Sequence, residues 1–219
     1  MSNSLKLYVL LCSVFCTIIV TGNLIFQKFV TISIFSNVME LSVGVLLFPI
    51  TFLISDLVTE FYGKDSANLM IKIAVLCSMI VFGLIFVSDY LSATSWSIVN
   101  DDTFHKVFNV YGVATIASII ANYCGQRIDI SIFSYLKQAT KGKHLWLRNN
   151  VSTIFGQAID TFIIITALSV FEIIPKSQFV SIFLSSFSFK VIAALLDTPL
   201  CYLGYYLIRK LKANSDITI

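Results

Sequence analysis

Long uninterrupted apolar segments are the feature of this 219-residue sequence that most restricts its fold. A helix needs about 20 mostly apolar residues, at ~1.5 Å each, to cross the hydrocarbon core of a bilayer. Lipid offers no partner to backbone N–H and C=O groups, so each crossing segment must be helical. The segments that qualify are 7–26, 38–58, 69–91, 107–124, 151–174 and 179–208. The sequence therefore predicts an all-α, polytopic integral membrane protein with six transmembrane helices, in one transporter domain over residues 1–219.

The composition agrees with a membrane protein. Hydrophobic residues make up 57% of the chain and charged residues 12%, against roughly 25% charged in an average soluble domain. The first apolar segment is longer than the 7–15 residues of a typical signal-peptide core, so we predict a span and not a cleaved signal. The five cysteines lie in or beside apolar segments without metal-ligand spacing, and we expect them to be buried.

Basic residues are concentrated in alternate loops. Counting connections along the chain, one side holds eleven: Lys6, Lys64, Lys72, Arg127, Lys137, Lys141, Lys143, Arg148, Arg209, Lys210 and Lys212. The other side holds three, Lys28, Lys106 and Lys176. Positive charge marks the cytoplasmic side of a membrane protein, so both termini are predicted to be cytoplasmic. Residues 128–138 in the longest basic loop predict an amphipathic helix on the membrane surface, with Ile132, Phe133 and Leu136 inward.

Acidic residues occur inside the second apolar segment. Glu40 lies near its outer end, and Asp56 and Glu60 follow at i, i+4 near the inner end, which places two like charges on one helix face. Glu60 and Lys64 are spaced for a favourable pair, and Gly63 is a candidate C-cap. We interpret the two carboxylates either as a paired site at the inner mouth or as a solvated helix end.

The fifth segment carries a polar stripe. At 100° per residue its members fall within roughly a 100° arc; they are Asn150, Thr153, Gln157, Asp160 and Thr161. Such a stripe must face protein or a cavity. Amide and carboxylate groups on one wall suit the edge of a planar, hydrogen-bonding ligand such as a purine-like base. The alternative is that the stripe joins helices.

Charged residues also occur in the sixth segment. Ser186, Lys190 and Asp197 lie on one face, and Pro199 follows. Seven residues separate the lysine from the aspartate, about 10 Å along the axis, which is too far for a relaxed ion pair. We expect Asp160 or Glu40 to pair with Lys190, either as a purely structural ion pair or as part of a binding site.

The remaining polar residues restrict the classes of function that the sequence predicts. In the first segment Asn23 is predicted to face inward, while Lys28 extends to the interface. His105 and His144 lack metal-ligand spacing, and phosphate-binding loops, a G-x-S-x-G turn and H-E-x-x-H are absent from the sequence. We therefore predict no metal, no cofactor, no enzyme activity and no nucleic-acid binding. The expected partners are a small-molecule substrate and the lipid bilayer, and a homo-oligomer is left open.

The same residues carry a resemblance to a known family. The chain resembles, over nearly its whole length, the YhhQ family of bacterial membrane proteins, the queuosine precursor transporters also grouped as vitamin uptake transporters. Two blocks are specific together, D-x-x-T-E-x-Y-G over residues 56–63 and S-T-x-x-G-Q-x-x-D-T over residues 152–161. Asn23 with Lys28, residues 148–151, and Lys190 with the 197–199 triplet complete the likeness.

The resemblance implies uptake of a 7-deazaguanine across the bacterial inner membrane for tRNA modification. The cargo would be 7-cyano- or 7-aminomethyl-7-deazaguanine, or queuine. Combining the family with the buried polar positions, we expect these substrate-binding residues: Asn23, Asp56, Glu60, Asn150, Thr153, Gln157, Asp160, Lys190 and Asp197.

Three hypotheses follow for how the chain works. The leading one is a self-sufficient secondary carrier, in which buried carboxylates and a lysine couple transport to protons. The second is a substrate-binding subunit of an energy-coupling-factor transporter, although the first segment lacks a small-xxx-small docking face. The third is an intramembrane aspartyl protease built on Asp56 and Asp160, which lack the Gly-x-Gly-Asp setting such enzymes use.

Overall fold

The computed structural model describes residues 3–26, 28–34, 37–108, 111–172 and 174–216. Long helices dominate, with one short hairpin and two short 3₁₀ turns, Val43–Leu47 and Lys176–Gln178. The other elements are α1 Asn3–Ile25, β1 Phe29–Ile34, β2 Asn37–Ser42, α2 Phe48–Asp89, α3 Asp101–Phe108, α4 Tyr111–Ala139, α5 Leu145–Val170 and α6 Phe179–Asp216.

Four helical segments of the described chain are long and apolar enough to cross a membrane. They are Ser4–Ile25, Val43–Asp89, Leu145–Val170 and Lys176–Leu211. Their large apolar side chains are widely exposed, Leu84 to 62% and Leu196 to 70%, as expected for surfaces that face lipid. The structure thus supports a helical membrane protein.

The second segment folds back on itself at Gly63, whose φ of 86° and ψ of 168° interrupt the helix. Glycine adopts positive φ without a Cβ clash, which explains why the reversal occurs there. The end of α1 packs against both limbs: Ile19 lines a small cavity with Phe48, and Val20 lines another with Ile85. In a straight helix Phe48 and Ile85 would lie more than about 50 Å apart. α2 is therefore a helical hairpin.

The predicted Glu60–Lys64 pair is wrong. The turn at Gly63 ends the i, i+4 geometry between the two residues, and Lys64 is exposed. Glu60 forms ion pairs with Lys137 and Arg148 instead.

The predicted start of span two, residues 38–42, is also wrong. These residues form β2, which pairs antiparallel with β1 so that Glu40 lies opposite Thr31. Val30, Thr31 and Ile32 are β-branched and favour extended backbone. Helical structure begins only at Val43, which places Glu40 outside the helical segments.

The predicted surface helix 128–138 is the C-terminal part of α4, which continues to Ala139 without interruption. Phe133 faces inward as predicted, but the segment does not lie on a surface, because Asp129 and Ile130 are also fully buried. The predicted span of 107–124 begins too early and ends too soon, and residues 109–110 within it lie outside the described chain.

Helices α4 and α5 cross at two glycines. A Cβ on Gly125 would lie 2.8 Å from the Gly156 carbonyl oxygen, and a Cβ on Gly156 would lie 2.8 Å from the Gly125 oxygen. The two backbones therefore touch, and this contact fixes the height at which the polar residues of both helices face one another. A separate apolar core, which includes Phe15, Val58 and Met70, joins α1 to both limbs of α2.

Candidate functional site

The polar stripe of α5 is buried along its whole length, as predicted. All five members are at most 8% exposed: Asn150, Thr153, Gln157, Asp160 and Thr161. Helix α5 lies between α4 and α6. The stripe therefore faces protein and the cavities between these helices, and not lipid.

Lys190 of α6 pairs with Asp160 of α5. Its Nζ lies 2.5 Å from Asp160 Oδ2, donates to Thr161 Oγ1 at 3.0 Å, and lies 4.9 Å from the centre of the Phe48 ring. Both charged residues are only 3% exposed. Of the two partners predicted for Lys190, the structure selects Asp160, because Glu40 lies on the hairpin.

This ion pair lines a cavity of about 120 Å³, which we call the Lys190 cavity. Five helical segments contribute to its wall, including Asn23 of α1, Phe48 of α2, Ser118 of α4, Asp160 and Thr161 of α5, and Lys190 of α6. The wall is mostly apolar with a few polar groups, which is the usual character of a small-molecule site.

Asn23 faces inward, as predicted. Its Oδ1 accepts a hydrogen bond from Ser118 Oγ at 2.7 Å. Its Nδ2 is buried and has no hydrogen-bond partner among the described residues. An amide nitrogen in this state is a donor available to a ligand.

Two other predicted site residues lie elsewhere. Asn150 donates to Thr198 Oγ1 at 2.9 Å and to the Trp146 carbonyl at 2.8 Å, so it joins α5 to α6. Asp197 is half-buried one residue before this contact, and neither residue lines the Lys190 cavity. For Asn150 the structure favours the helix-joining alternative.

Asp56 and Asp129 form a pair of neighbouring carboxyl groups that are both essentially inaccessible to solvent. Ser55 and Thr153 donate to the two Asp129 oxygens at 3.5 and 3.4 Å. Neither oxygen of Asp56 accepts a hydrogen bond from a described donor. The predicted partner of Asp56 is Glu60, whereas the residue that faces it most directly is on α4.

Glu60 belongs to a neighbouring cluster that sequence reasoning missed. Arg148, 1% exposed, places Nη2 2.9 Å from Glu60 Oε2, and Lys137 Nζ lies 3.3 Å from the same oxygen. Arg148 also donates to the carbonyls of Gly142 and Lys143 at 3.0 Å each. Arg148 lies in a basic region of the sequence, which indicates a charge that orients the protein in the membrane. The sequence pattern therefore does not indicate that its side chain is buried and paired.

The interior polar residues of α4 were also missed. Asn122, Gln126 and Asp129 follow i, i+4, i+7 spacing and are all buried. That periodicity is visible in the sequence. The predicted span ends at Cys124, before the stripe is complete, and so does not contain it.

Metal-ligating groupings are not found in the described ranges: no three His, Cys, Asp or Glu side chains converge there as a metal site would require. His105 Nδ1 lies 2.8 Å from Asp89 Oδ2 on an exposed part of the molecule.

Known proteins and a family model are similar in sequence to this chain. A family model described as "Putative vitamin uptake transporter" matches residues 42–204. A Bacillus subtilis protein named "Probable queuosine precursor transporter" is 24% identical over 74% of this chain and 70% of its own length. The Escherichia coli "Queuosine precursor transporter" is 27% identical over 80% of this chain and 77% of its own.

A Haemophilus influenzae protein, also named "Probable queuosine precursor transporter", is 32% identical over 55% of this chain and 48% of its own length. No solved structure matches the chain significantly.

Proposed function

This chain belongs to the vitamin uptake transporter family, a family of transporters and not of enzymes, and from that premise we propose that it carries a queuosine precursor across the bacterial inner membrane. The substrate class is that of the relatives named above. The proposed cargo is a 7-deazaguanine, and the proposed mode is secondary transport by this chain alone.

The buried Lys190–Asp160 pair on the wall of the Lys190 cavity is the observation that carries the proposal. A buried ion pair contributes little to stability compared with apolar packing, and ionisable groups within a membrane mark substrate pathways. A guanine-type base presents a carbonyl oxygen next to two N–H donors. The lysine can donate to that oxygen while the carboxylate accepts both N–H groups.

The size of the cavity indicates how the base would enter. A protein cavity of roughly 150 Å³ holds benzene, and the Lys190 cavity measures about 120 Å³. A bicyclic base is larger than benzene, so we infer that it separates Lys190 from Asp160 and takes both as its own partners. In the empty site the two side chains neutralise each other, which keeps unpaired charge out of the membrane interior.

We propose six crossings with both termini in the cytoplasm. The two limbs of α2 supply two crossings, since a 47-residue apolar segment is about 70 Å long and folds back at Gly63. Helices α1, α4, α5 and α6 supply the others. The eleven-to-three distribution of basic residues supports this orientation.

We propose Asp56 and Asp129 as the groups that couple transport to protons. Two neighbouring carboxylates away from water repel each other strongly, so the pair is stable when it holds at least one proton. The charged groups beside it are Glu60 and Arg148, and Lys137 also pairs with Glu60, so this neighbouring cluster holds two cations and one carboxylate. Loss of that proton changes the net charge of the interior and so can favour a different arrangement of α2 and α4.

Uptake in cells tests the proposal. Bacteria that lack both endogenous uptake and synthesis of deazaguanines would express the wild type, Asp160→Asn or Lys190→Met, with Asp65→Asn and Lys64→Met as matched controls at exposed positions. We expect accumulation of labelled 7-aminomethyl-7-deazaguanine with the wild type and both controls, and at least a tenfold loss in the site variants at equal membrane abundance. Equal uptake by wild type and site variants would refute the assignment.

Reconstitution separates the carrier from the alternative, a substrate-binding subunit of an energy-coupling-factor transporter. Purified chain in vesicles should accumulate the base when a pH gradient is the sole energy source. Binding without transport under these conditions, restored by a coupling ATPase, would favour the alternative.

A further inference from the structure

A second cavity, of about 150 Å³, lies on the other side of α1 from the Lys190 cavity. The end of α1, the second limb of α2, the end of α3 and the start of α4 form its walls. Its polar lining comes from Asn23, Ser78, Asp89 and Thr115. Aliphatic side chains and the aromatic residues Phe82, Phe86 and Phe108 line the remainder. We call it the Ser78 cavity.

Three polar atoms at this cavity have no hydrogen-bond partner in the described part of the chain: Asn23 Nδ2, Ser78 Oγ and Thr115 Oγ1. The three residues are 8%, 5% and 6% exposed, respectively. Buried donors and acceptors without partners are uncommon, because each forgoes the hydrogen bond it would make with water. Three such atoms on the lining residues of one cavity favour an occupant that offers hydrogen-bonding groups.

The lining limits the chemistry of that occupant. An amide nitrogen donates only, whereas the two hydroxyls can donate or accept. Phe82 and Phe86 are spaced i, i+4 on one helix face and offer flat apolar surface. Asp89 is the one charged residue of the lining and is paired with His105. The lining therefore fits an uncharged, planar heterocycle with hydrogen-bonding groups along its edge. About 150 Å³ holds a ring the size of benzene, so a bicyclic base would enter only if Asn23 rotates to enlarge the space.

Asn23 lines both cavities. Its Oδ1 is held by Ser118 on the Lys190 side, while Nδ2 has no partner among the described residues. A single side-chain rotation could exchange these contacts, so Asn23 is placed as the partition between the two compartments.

We propose that the Ser78 cavity is a second binding station for the planar base that this protein carries, separated from the Lys190 cavity by Asn23. The inference rests on the proposed function, since it takes the same class of cargo. A base bound in the Ser78 cavity would pass Asn23 to reach Lys190 and Asp160.

Binding stoichiometry tests the second station. The full chain, purified in detergent, is equilibrated with labelled 7-cyano-7-deazaguanine, which is uncharged, and guanine is used as a competitor. We expect two molecules per wild-type chain at saturation and one per chain in the Lys190→Met/Asp160→Asn double variant. Ser78→Ala/Thr115→Val should weaken one of the two binding events by about tenfold or more and leave the other unchanged.

A fluorescence measurement covers the case in which Ser78→Ala/Thr115→Val fails to fold. The base should change the emission of Phe82→Trp relative to wild type, and should not change that of Phe162→Trp, whose side chain is exposed on α5 away from both cavities. The Phe82→Trp response should persist when Lys190 and Asp160 are both substituted.

The outcomes separate this inference from the proposed function. One molecule per chain, lost in Lys190→Met/Asp160→Asn and unaffected in Ser78→Ala/Thr115→Val, would overturn the second station and leave the transporter assignment intact. No binding of any base by the wild type would overturn both.

Discussion

Arg148 Nη2 lies 2.9 Å from Glu60 Oε2, and this contact joins the start of α5 to the first limb of α2 just before its turn at Gly63. The arginine side chain is 2% exposed and the glutamate side chain 10%. Each charge depends on the other, because a buried ion without its partner is strongly unfavourable.

Glu60→Gln should destabilise the protein by about 3–5 kcal/mol, since it leaves Arg148 buried without a full counter-charge. Thermal unfolding of the detergent-purified chain measures this. Combining Glu60→Gln with Arg148→Met should recover part of the loss, because the buried arginine charge is then removed and only the more exposed Lys137 lacks its partner. If the double variant lost more stability than the two single variants lose together, this result would contradict direct pairing of Glu60 and Arg148. Asp65→Asn, at an exposed position, serves as the control.

Gly125→Ala and Gly156→Ala should each destabilise the protein by roughly 1–3 kcal/mol through overpacking. The added Cβ would meet backbone oxygen at 2.8 Å, and backbone moves only if α4 and α5 separate. Gly83→Ala is the matched control, since its Cβ would meet no described atom within 4 Å. A similar loss of melting temperature in all three variants would argue against the close helix crossing.

Gly63→Ala should cost roughly 1–2 kcal/mol, because an L-residue at a φ of 86° brings its Cβ against the backbone. Lack of space is not the cause, since a Cβ at this position would have no described neighbour within 4 Å. Gly63→Asn should be no better tolerated than Gly63→Ala, because a ψ of 168° places this residue in a positive-φ region that is essentially restricted to glycine. The melting temperatures of the wild type, Gly63→Ala and Gly63→Asn test whether the backbone conformation at this turn requires glycine.

Combining Lys190→Met with Asp160→Asn should restore stability but not transport. Lys190→Met leaves the Asp160 charge unpaired within the membrane and should lower thermal stability, while the double variant should regain stability through removal of both charges. Uptake should be abolished in the double variant all the same, because neither partner of the base is present. Normal uptake in the double variant would show that transport does not require the pair.

Asp56→Asn should uncouple transport from the pH gradient. We expect the variant to exchange labelled for unlabelled base across vesicle membranes at a measurable rate, but not to concentrate it against a gradient. A protonophore should abolish accumulation of the base by the wild type. It should leave the exchange rate of the Asp56→Asn variant unchanged. Accumulation by Asp56→Asn that still collapses with the protonophore would assign coupling to another group.

Several elements could be predicted from sequence because their signals are local. Apolar length predicts α1, α5 and α6, and helical periodicity places the α5 stripe on one buried face. The β1–β2 pair was missed because the apolar residues of β2 continue into the following helix, and hydropathy does not distinguish extended from helical backbone there.

Hydropathy and spacing determined by themselves that the chain is a helical membrane protein with polar residues facing inward, because both properties depend only on neighbours along the chain. The partners of those residues depended on the tertiary structure. Arg148 became a buried partner of Glu60, Asp129 joined Asp56, and Asn23 came to lie between two cavities. The glycine contact between α4 and α5 and the reversal at Gly63 set these distances, and no spacing within one helix encodes the position of another.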